Sequence, residues 1–324
     1  MRHRPTRREL LLTSTAQALG AAALPGAGAR PAQAAEPARG GVLIAAFSAD
    51  PAGFDPARGP SGMSHVVIEQ AYSTLMALDA DAMPYPELAE SVEESADGLT
   101  YTFKLRPGIT FHDGAPLTAE DVKFSFDRIR APDSGYSYAS QVATIASVDV
   151  LDPLTVQFRL SQRTGPFLIY MAFPGSSIVP KHLVEAGHDL NAQPIGTGPF
   201  KFVSYQPRTG IKFERNPNFF QEGKPYVDGM EYRIISNVTA LTNAVLSGQV
   251  NFSNEIPPKD WAKVKATPGL VGQTLEGSRY YRLLANTTRP PLDNPKVRQA
   301  IGHALNRNAL VKGGFFGQAT PILG

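Results

Sequence analysis

Apolar and polar positions alternate with a period of two in some stretches and near 3.6 in others, so both strands and helices are expected. In "YTFKLR", Tyr101, Phe103 and Leu105 fall on one face and Thr102, Lys104 and Arg106 on the other, and "TVQFRL" (155–160) repeats the pattern. "FKFVSYQPRTGIKFERN" (200–216) holds two alternating runs around residues 207–210, which predicts a hairpin, and "MEYRII" (230–235) predicts a further strand. "ARGGVLIAAF" (38–47) is a short apolar run behind a Gly pair and predicts a buried first strand. Residues 50–63, "DPAGFDPARGPSGM", have no periodicity and many turn formers. They predict an exposed loop, a common place for ligand contacts, that leads into a helix over "SHVVIEQAYSTLMAL" (64–78).

Other helices are punctuated at their ends. "LTAEDVKFSFDRI" (117–129) places Thr118 as N-cap and Glu120 and Asp121 in the first turn, where the helix dipole favours negative charge. Its Val122, Phe126 and Ile129 share one face. "TALTNAVLSGQ" (239–249) ends at Gly248, and "NPKVRQAIGHALNRNALVKGG" opens with Asn294 as cap and Pro295 at the first helical position, predicting one helix over 294–311. Strands and helices are interleaved as in α/β or α+β proteins. At 324 residues the chain exceeds a usual domain of roughly 100 to 200 residues, so two lobes or one lobe with a large insertion are expected.

The first forty residues follow another pattern. Arg2, Arg4, Arg7 and Arg8 precede an Ala/Leu-rich run over 10–24 and a small-residue site at Ala32-Gln33-Ala34, which is the layout of an export signal. "TRRELLL" (6–12) fits the twin-arginine form, so residues 1–34 are expected to be removed near Ala34 in the periplasm. That cut takes away five arginines and Glu9 and turns the formal charge from +2 to −2. With no long Lys/Arg run, nucleic acid is not an expected partner. There is no cysteine, which rules out disulfides, thiolate metal sites and a lipid-modified N-terminal Cys. No stretch reaches the roughly 20 apolar residues of a membrane-spanning helix.

Candidate chemistry is sparse. His112 and Asp113 sit side by side in "FHDGAP", but the six histidines are scattered and no HxxxH or HExxH spacing occurs. Asp113-Gly114 is a good turn dipeptide, so a turn accounts for the pair without catalysis. "PIGTGPFKF" (194–202) has the glycines of a phosphate loop yet runs into strand residues where such a loop should open a helix. A tight backbone turn is expected there. Tyr136, Tyr138, Phe173, Tyr280 and Tyr281 lie in loops or at strand ends, where aromatic rings either pack or line a cleft. No Gly-x-Ser-x-Gly elbow is present.

Taken together, "FDPARG", "DGLTYTFKLRPGITFHDGAPLTAEDVKFSFDRI", "SSIVPKHL", "GTGPFKF", "FERNPNFF", "LSGQVNF" and "NPKVRQAIGHALNRNAL" resemble, in order, the extracytoplasmic solute-binding proteins of ABC transporters, family 5 (the dipeptide, oligopeptide and nickel-binding type). The resemblance runs from about residue 41 to the end of the chain. It implies an α/β, periplasmic-binding-protein-like fold of two lobes, type II and of the large peptide-binding class, enclosing a solute by hinge closure without chemistry. The expected partners are a peptide or other small polar solute and the membrane subunits of an ABC permease, with no cofactor, no metal and a monomeric state. It also implies ligand contacts at Pro60, Ser61, Gly62, Tyr138, Arg279 and Tyr281, and makes the His112 stretch a scaffold corner.

The implied layout is a signal over 1–34, a lobe I core from 35–78 and 194–283, an inserted subdomain over 79–193, and the start of lobe II over 284–324. Relatives of this type continue well past "GFFGQATPILG", so an incomplete second lobe and an exposed apolar face on the 294–311 helix are expected. Val92 stands where many relatives have Trp, a difference of packing. Beside the receptor stands an alternative reading: a non-transporting fragment or an interaction module.

Overall fold

The computed structural model describes residues 38–58, 62–274 and 281–321. The predicted signal over 1–34, and Pro60, Ser61, Arg279 and Tyr280, lie outside these residues. In chain order the main elements are β1 (Val42–Phe47), α1 (Gly62–Ala71), β2 (Met76–Leu78), β3 (Pro84–Pro86), β4 (Ala89–Glu94), β5 (Thr100–Leu105), α2 (Ala119–Arg130), β6 (Ile145–Asp152), β7 (Thr155–Leu160), β8 (Phe200–Gln206), β9 (Gly210–Arg215) and β10 (Gly229–Ile234).

Two four-stranded sheets carry the fold, with order β1-β10-β9-β8 in one and β4-β5-β7-β6 in the other. In the first, β1 runs parallel to β10 while β10, β9 and β8 are antiparallel neighbours. A parallel pair needs a long crossover, and here it contains the whole second sheet. Phe47 stacks on Tyr232 at 4.8 Å, and Val67, Ile68 and Ala71 of α1 join the same buried cluster. The helix Val238–Leu246 follows β10, with the Asn237 side chain accepting from Thr239 and Ala240 N–H and Gly248 just past its end at φ +72°. That positive φ suits glycine at a helix C-terminus.

The second sheet is antiparallel throughout, and its alternation is the one expected: Tyr101, Phe103 and Leu105 of β5 and Val156, Phe158 and Leu160 of β7 are buried. Val122, Phe126 and Ile129 of α2 close that face, Phe126 meeting Phe158 edge-on at 4.8 Å. Thr118 caps α2 in extended backbone, and its N–H donates to the Asp121 carboxylate at 2.9 Å. Val92 of β4 is partly buried against this core.

Two expectations about helices are corrected. The helix over 64–78 stops at Ala71, and Met76–Leu78 form a strand paired with β3. Long-range partners override the local pattern: the Gly198 N–H donates to the Ala71 carbonyl, and the Glu87 carboxylate accepts from both the N–H and the hydroxyl of Thr74. The single helix over 294–311 is two, Pro295–Ala304 and Arg307–Gly314. Asn306 breaks it, because its side chain accepts from the Ala309 N–H and starts a second N-cap. Neither helix has a buried residue, and Leu310 is 53 % exposed.

The "PIGTGPFKF" turn joins the sheets. A Cβ on Gly198 would sit 2.5 Å from the Ala71 carbonyl carbon and 2.7 Å from the Tyr72 nitrogen, backbone atoms that have no room to retreat. Gly198→Ala is therefore expected to cost at least about 2 kcal/mol of unfolding free energy, read from urea denaturation, as overpacking does in a filled interior. An unchanged midpoint would contradict the close approach.

Candidate functional site

His112 shows how the turn is held. Its backbone N–H donates to the Gly196 carbonyl at 2.8 Å, and its Nε2 lies 3.0 Å from the Gly198 carbonyl. A carbonyl only accepts, so Nε2 carries the proton; Nδ1 is then free to accept the Gly196 N–H at 3.4 Å. Lys201 Nζ closes the clasp on the His112 carbonyl at 3.0 Å. Asp113 forms the turn with Gly114 and pairs with His182 at 2.7 Å. Both nitrogens of the His112 side chain are thus used for structure, and Asp113-Gly114 forms the turn that the dipeptide indicated.

Burial lowers the His112 pKa to about 4, more than the Gly198 carbonyl raises it. The unfolded chain, with its His near 6.5, binds this proton first as pH falls. The contribution of neutral His112 is complete above about pH 6.5 and is lost between there and pH 4, on the order of 3 kcal/mol in all.

The candidate binding surface lies where α1 begins. Four rings from three segments meet: His65 from the first turn of α1, Tyr136 and Tyr138 from the loop leaving α2, and Phe173 from the approach to the short turn Pro174–Ser176. Tyr138 packs edge-on against Phe173 at 4.5 Å and tilts against His65 at 5.5 Å, while His65 meets Phe173 at 4.9 Å. Tyr138, His65 and Phe173 are each half-buried, and His65 Nε2 is turned inward, away from the surface.

The sequence builds this wall by stopping α2. The helix ends at Ala131 before Pro132, Gly135 turns at φ +68°, and the Ser134 hydroxyl accepts the Tyr136 N–H at 3.2 Å. Tyr136 then inserts beneath, where its hydroxyl fills the space a Cβ on Gly175 would need. Burial pushes its pKa up to about 12, so the phenol stays neutral. Tyr138 sits above it at 5.9 Å, a flat apolar face with a polar tip.

Of the residues predicted to touch ligand, Gly62 opens α1 one turn ahead of His65, and Tyr138 stands in the wall. Tyr281 is 78 % exposed and has Phe315 as its ring neighbour at 4.7 Å. His65 was not singled out by the sequence; a lone His in an apolar helical run carries no motif. A separate groove of about 340 Å³ is lined by Glu69, Glu87, Phe219, Lys224 and Tyr226, and burial raises the Glu87 pKa there. Among the described residues no group of three or more His, Asp or Glu could hold a metal ion, and no helix is long and apolar enough to cross a membrane.

Residues 83–324 match the bacterial extracellular solute-binding proteins, family 5 (middle). The chain is 33 % identical over 285 residues to the glutathione-binding protein GsiB of Salmonella paratyphi A, covering 87 % of this chain and 55 % of GsiB. Among solved structures, it resembles AgaA of A. tumefaciens R10 in complex with agropinic acid (TM-score 0.78, 32 % identity, 88 % of this chain and 58 % of that one). It also resembles DppA of Helicobacter pylori in complex with the peptide STSA (TM-score 0.79, 28 % identity, 88 % and 60 %). The chain thus spans about half the length of the curated relatives it matches.

Replacing His112 by Gln keeps a donor for Gly198 and removes the titration. Unfolding free energies measured between pH 7 and pH 4 are expected to fall less in H112Q than in the parent, by about 3 kcal/mol over the window. Parallel pH profiles would show that the buried imidazole is not the titrating group.

Proposed function

Because the chain belongs to the bacterial extracellular solute-binding proteins of family 5, we propose that it is the substrate-binding component of an ABC importer. It takes up a peptide or a similarly sized polar solute in the periplasm and hands it to the permease, acting as a monomer and without turnover. The observation that carries this reading is the wall of half-buried rings at the start of α1. Aromatic rings offer flat surfaces to amide planes, and a tyrosine such as Tyr138 adds a polar tip for carboxylate or amino groups, at small cost in side-chain entropy. Glutathione, a peptide and agropinic acid, named for three relatives, are solutes of that character.

In this reading residues 35–78 and 194–283 are the core of the first lobe, residues 79–193 a subdomain inserted in it, and residues 284–324 the beginning of the second. The two sheets fall on either side of that division, one built from 42–47 and 200–234 and the other from 89–160. Pro60, Ser61, Gly62 and Tyr138 would meet the solute from the first lobe, and Arg279 and Tyr281 from the approach to the second. Solute bound between lobes favours their closure, and binding energy is spent on the hinge without any bond being broken. Residues 1–34 are the twin-arginine signal that delivers the protein, folded, to the periplasm.

Two measurements test this. A thermal-unfolding scan with glutathione and a pool of short peptides is expected to show a transition raised by ligand, by about 2.7 kcal/mol at a hundredfold excess over Kd, and Tyr138→Ala should abolish the rise. A transition indifferent to every solute would count against the receptor. Replacing Arg7 and Arg8 by Lys should leave the protein in the cytoplasm on cell fractionation, whereas undiminished export would remove the twin-arginine assignment.

A further inference from the structure

The wall is carried by two elements that are far apart in sequence, α1 with His65 and the exit of α2 with Tyr138. A half-buried ion pair spans them. Asp55 lies in the loop that feeds α1 and is 3 % exposed; Arg128 lies in the last turn of α2. Arg128 Nη1 donates to Asp55 Oδ1 at 2.8 Å and Nη2 to Oδ2, a two-pronged contact that fixes angle as well as distance. The Asp55 carboxylate raises the guanidinium pKa against the opposing effect of burial.

The loop is tied on both sides of this contact. Asp55 Oδ1 also accepts the Ala57 N–H at 3.0 Å, and Asn191 Oδ1 accepts the N–H groups of Phe54 and Asp55 at 3.0 and 3.1 Å. The Ser64 hydroxyl, one residue before His65, accepts from Ala52 at 3.0 Å and Gly53 at 3.2 Å. Whatever moves Asp55 therefore moves the start of α1, and whatever moves Arg128 moves the loop that carries Tyr138.

We propose that Asp55 and Arg128 are positioning residues: their fork sets the distance and angle between the α1 start and the α2 exit, and so holds His65 and Tyr138 in register as one solute-facing wall. This rests on the receptor reading given above. The pair acts on geometry, not on stability. A buried ion pair roughly breaks even with a well-packed apolar pair, because desolvating two charges costs about what their attraction returns. An apolar pair, however, leaves the angle free.

The test uses the whole chain and no solute, so its result is separate from whether any solute binds. Ring resonances of His65 and Tyr138, assigned with His65→Gln and Tyr138→Phe spectra, report their mutual packing through ring-current shifts. In the double variant D55L/R128M the melting temperature is expected to stay within a few degrees of the parent, lowered only by the lost acceptor of the Ala57 N–H. The His65 and Tyr138 resonances should nevertheless move toward unpacked positions. R128K keeps the charge but loses the fork, and the same resonances should move, which decides the matter should the double variant fail to fold. Unmoved ring resonances in R128K would overturn the proposal, as would unmoved rings in a folded D55L/R128M. Absence of solute binding with the expected ring shifts would count against the receptor reading and leave the positioning role standing.

Discussion

The turn at Gly196 to Gly198 is the contact on which the rest of the molecule depends. It brings the entry to β8 against the end of α1 more closely than any side chain would allow, and it hydrogen-bonds the corner at His112. Gly198 alone donates to Ala71 and accepts from both His112 and Asn216, the latter at 3.0 Å. Because α1 stops there, residues 74–76 are released to pair with the chain at 86–89, and the second sheet starts from that pairing. The same contact fixes where α1 lies along its axis, and so where its first turn emerges beside Tyr138.

A series of polar links extends from that placement along α2. The Asp121 carboxylate, at the head of α2, accepts the Lys181 N–H at 3.0 Å, and Ser125 accepts the Val179 N–H at 2.9 Å. These hold the segment after Phe173 against α2. Arg128, one turn further on, reaches Asp55. Helix α2 thus carries on one face the apolar residues that close the second sheet and on its polar positions the groups that set the surrounding loops. Buried hydrogen bonds of this kind are expensive to leave unmade, which makes the arrangement specific.

Much of this was legible in the chain. Strands β5 and β7 announced themselves because one face of each is buried and the side-chain period is two, and α2 because its cap, first-turn acids and apolar face agree. The turn at Asp113-Gly114 and the tight turn at Gly196 to Gly198 were also readable from residue type. Strand β6 did not stand out, since register shifts between Ile145 and Ser147 and between Val150 and Asp152 break its alternation. Strand β4 reads as a charged stretch, exposed over much of its length. The end of α1 and the break at Asn306 were missed because a distant glycine and a local amide, respectively, outbid a continuing helical pattern. Of the site, Gly62 and Tyr138 came from the family resemblance, while His65 and the Asp55–Arg128 pair had no local signature: the partners of that pair are 73 residues apart.

The proposed solute-binding surface is the wall formed by His65, Tyr138 and Phe173. The most direct test is a titration of the chain with glutathione followed by two-dimensional NMR, mapping the backbone and ring signals that move. Shifts are expected to concentrate at Gly62 to His65, at Tyr136 to Tyr138 and at Phe173. Shifts gathered instead around the groove of Glu69, Glu87 and Tyr226 would contradict it, and would move the binding surface to the opposite end of α1.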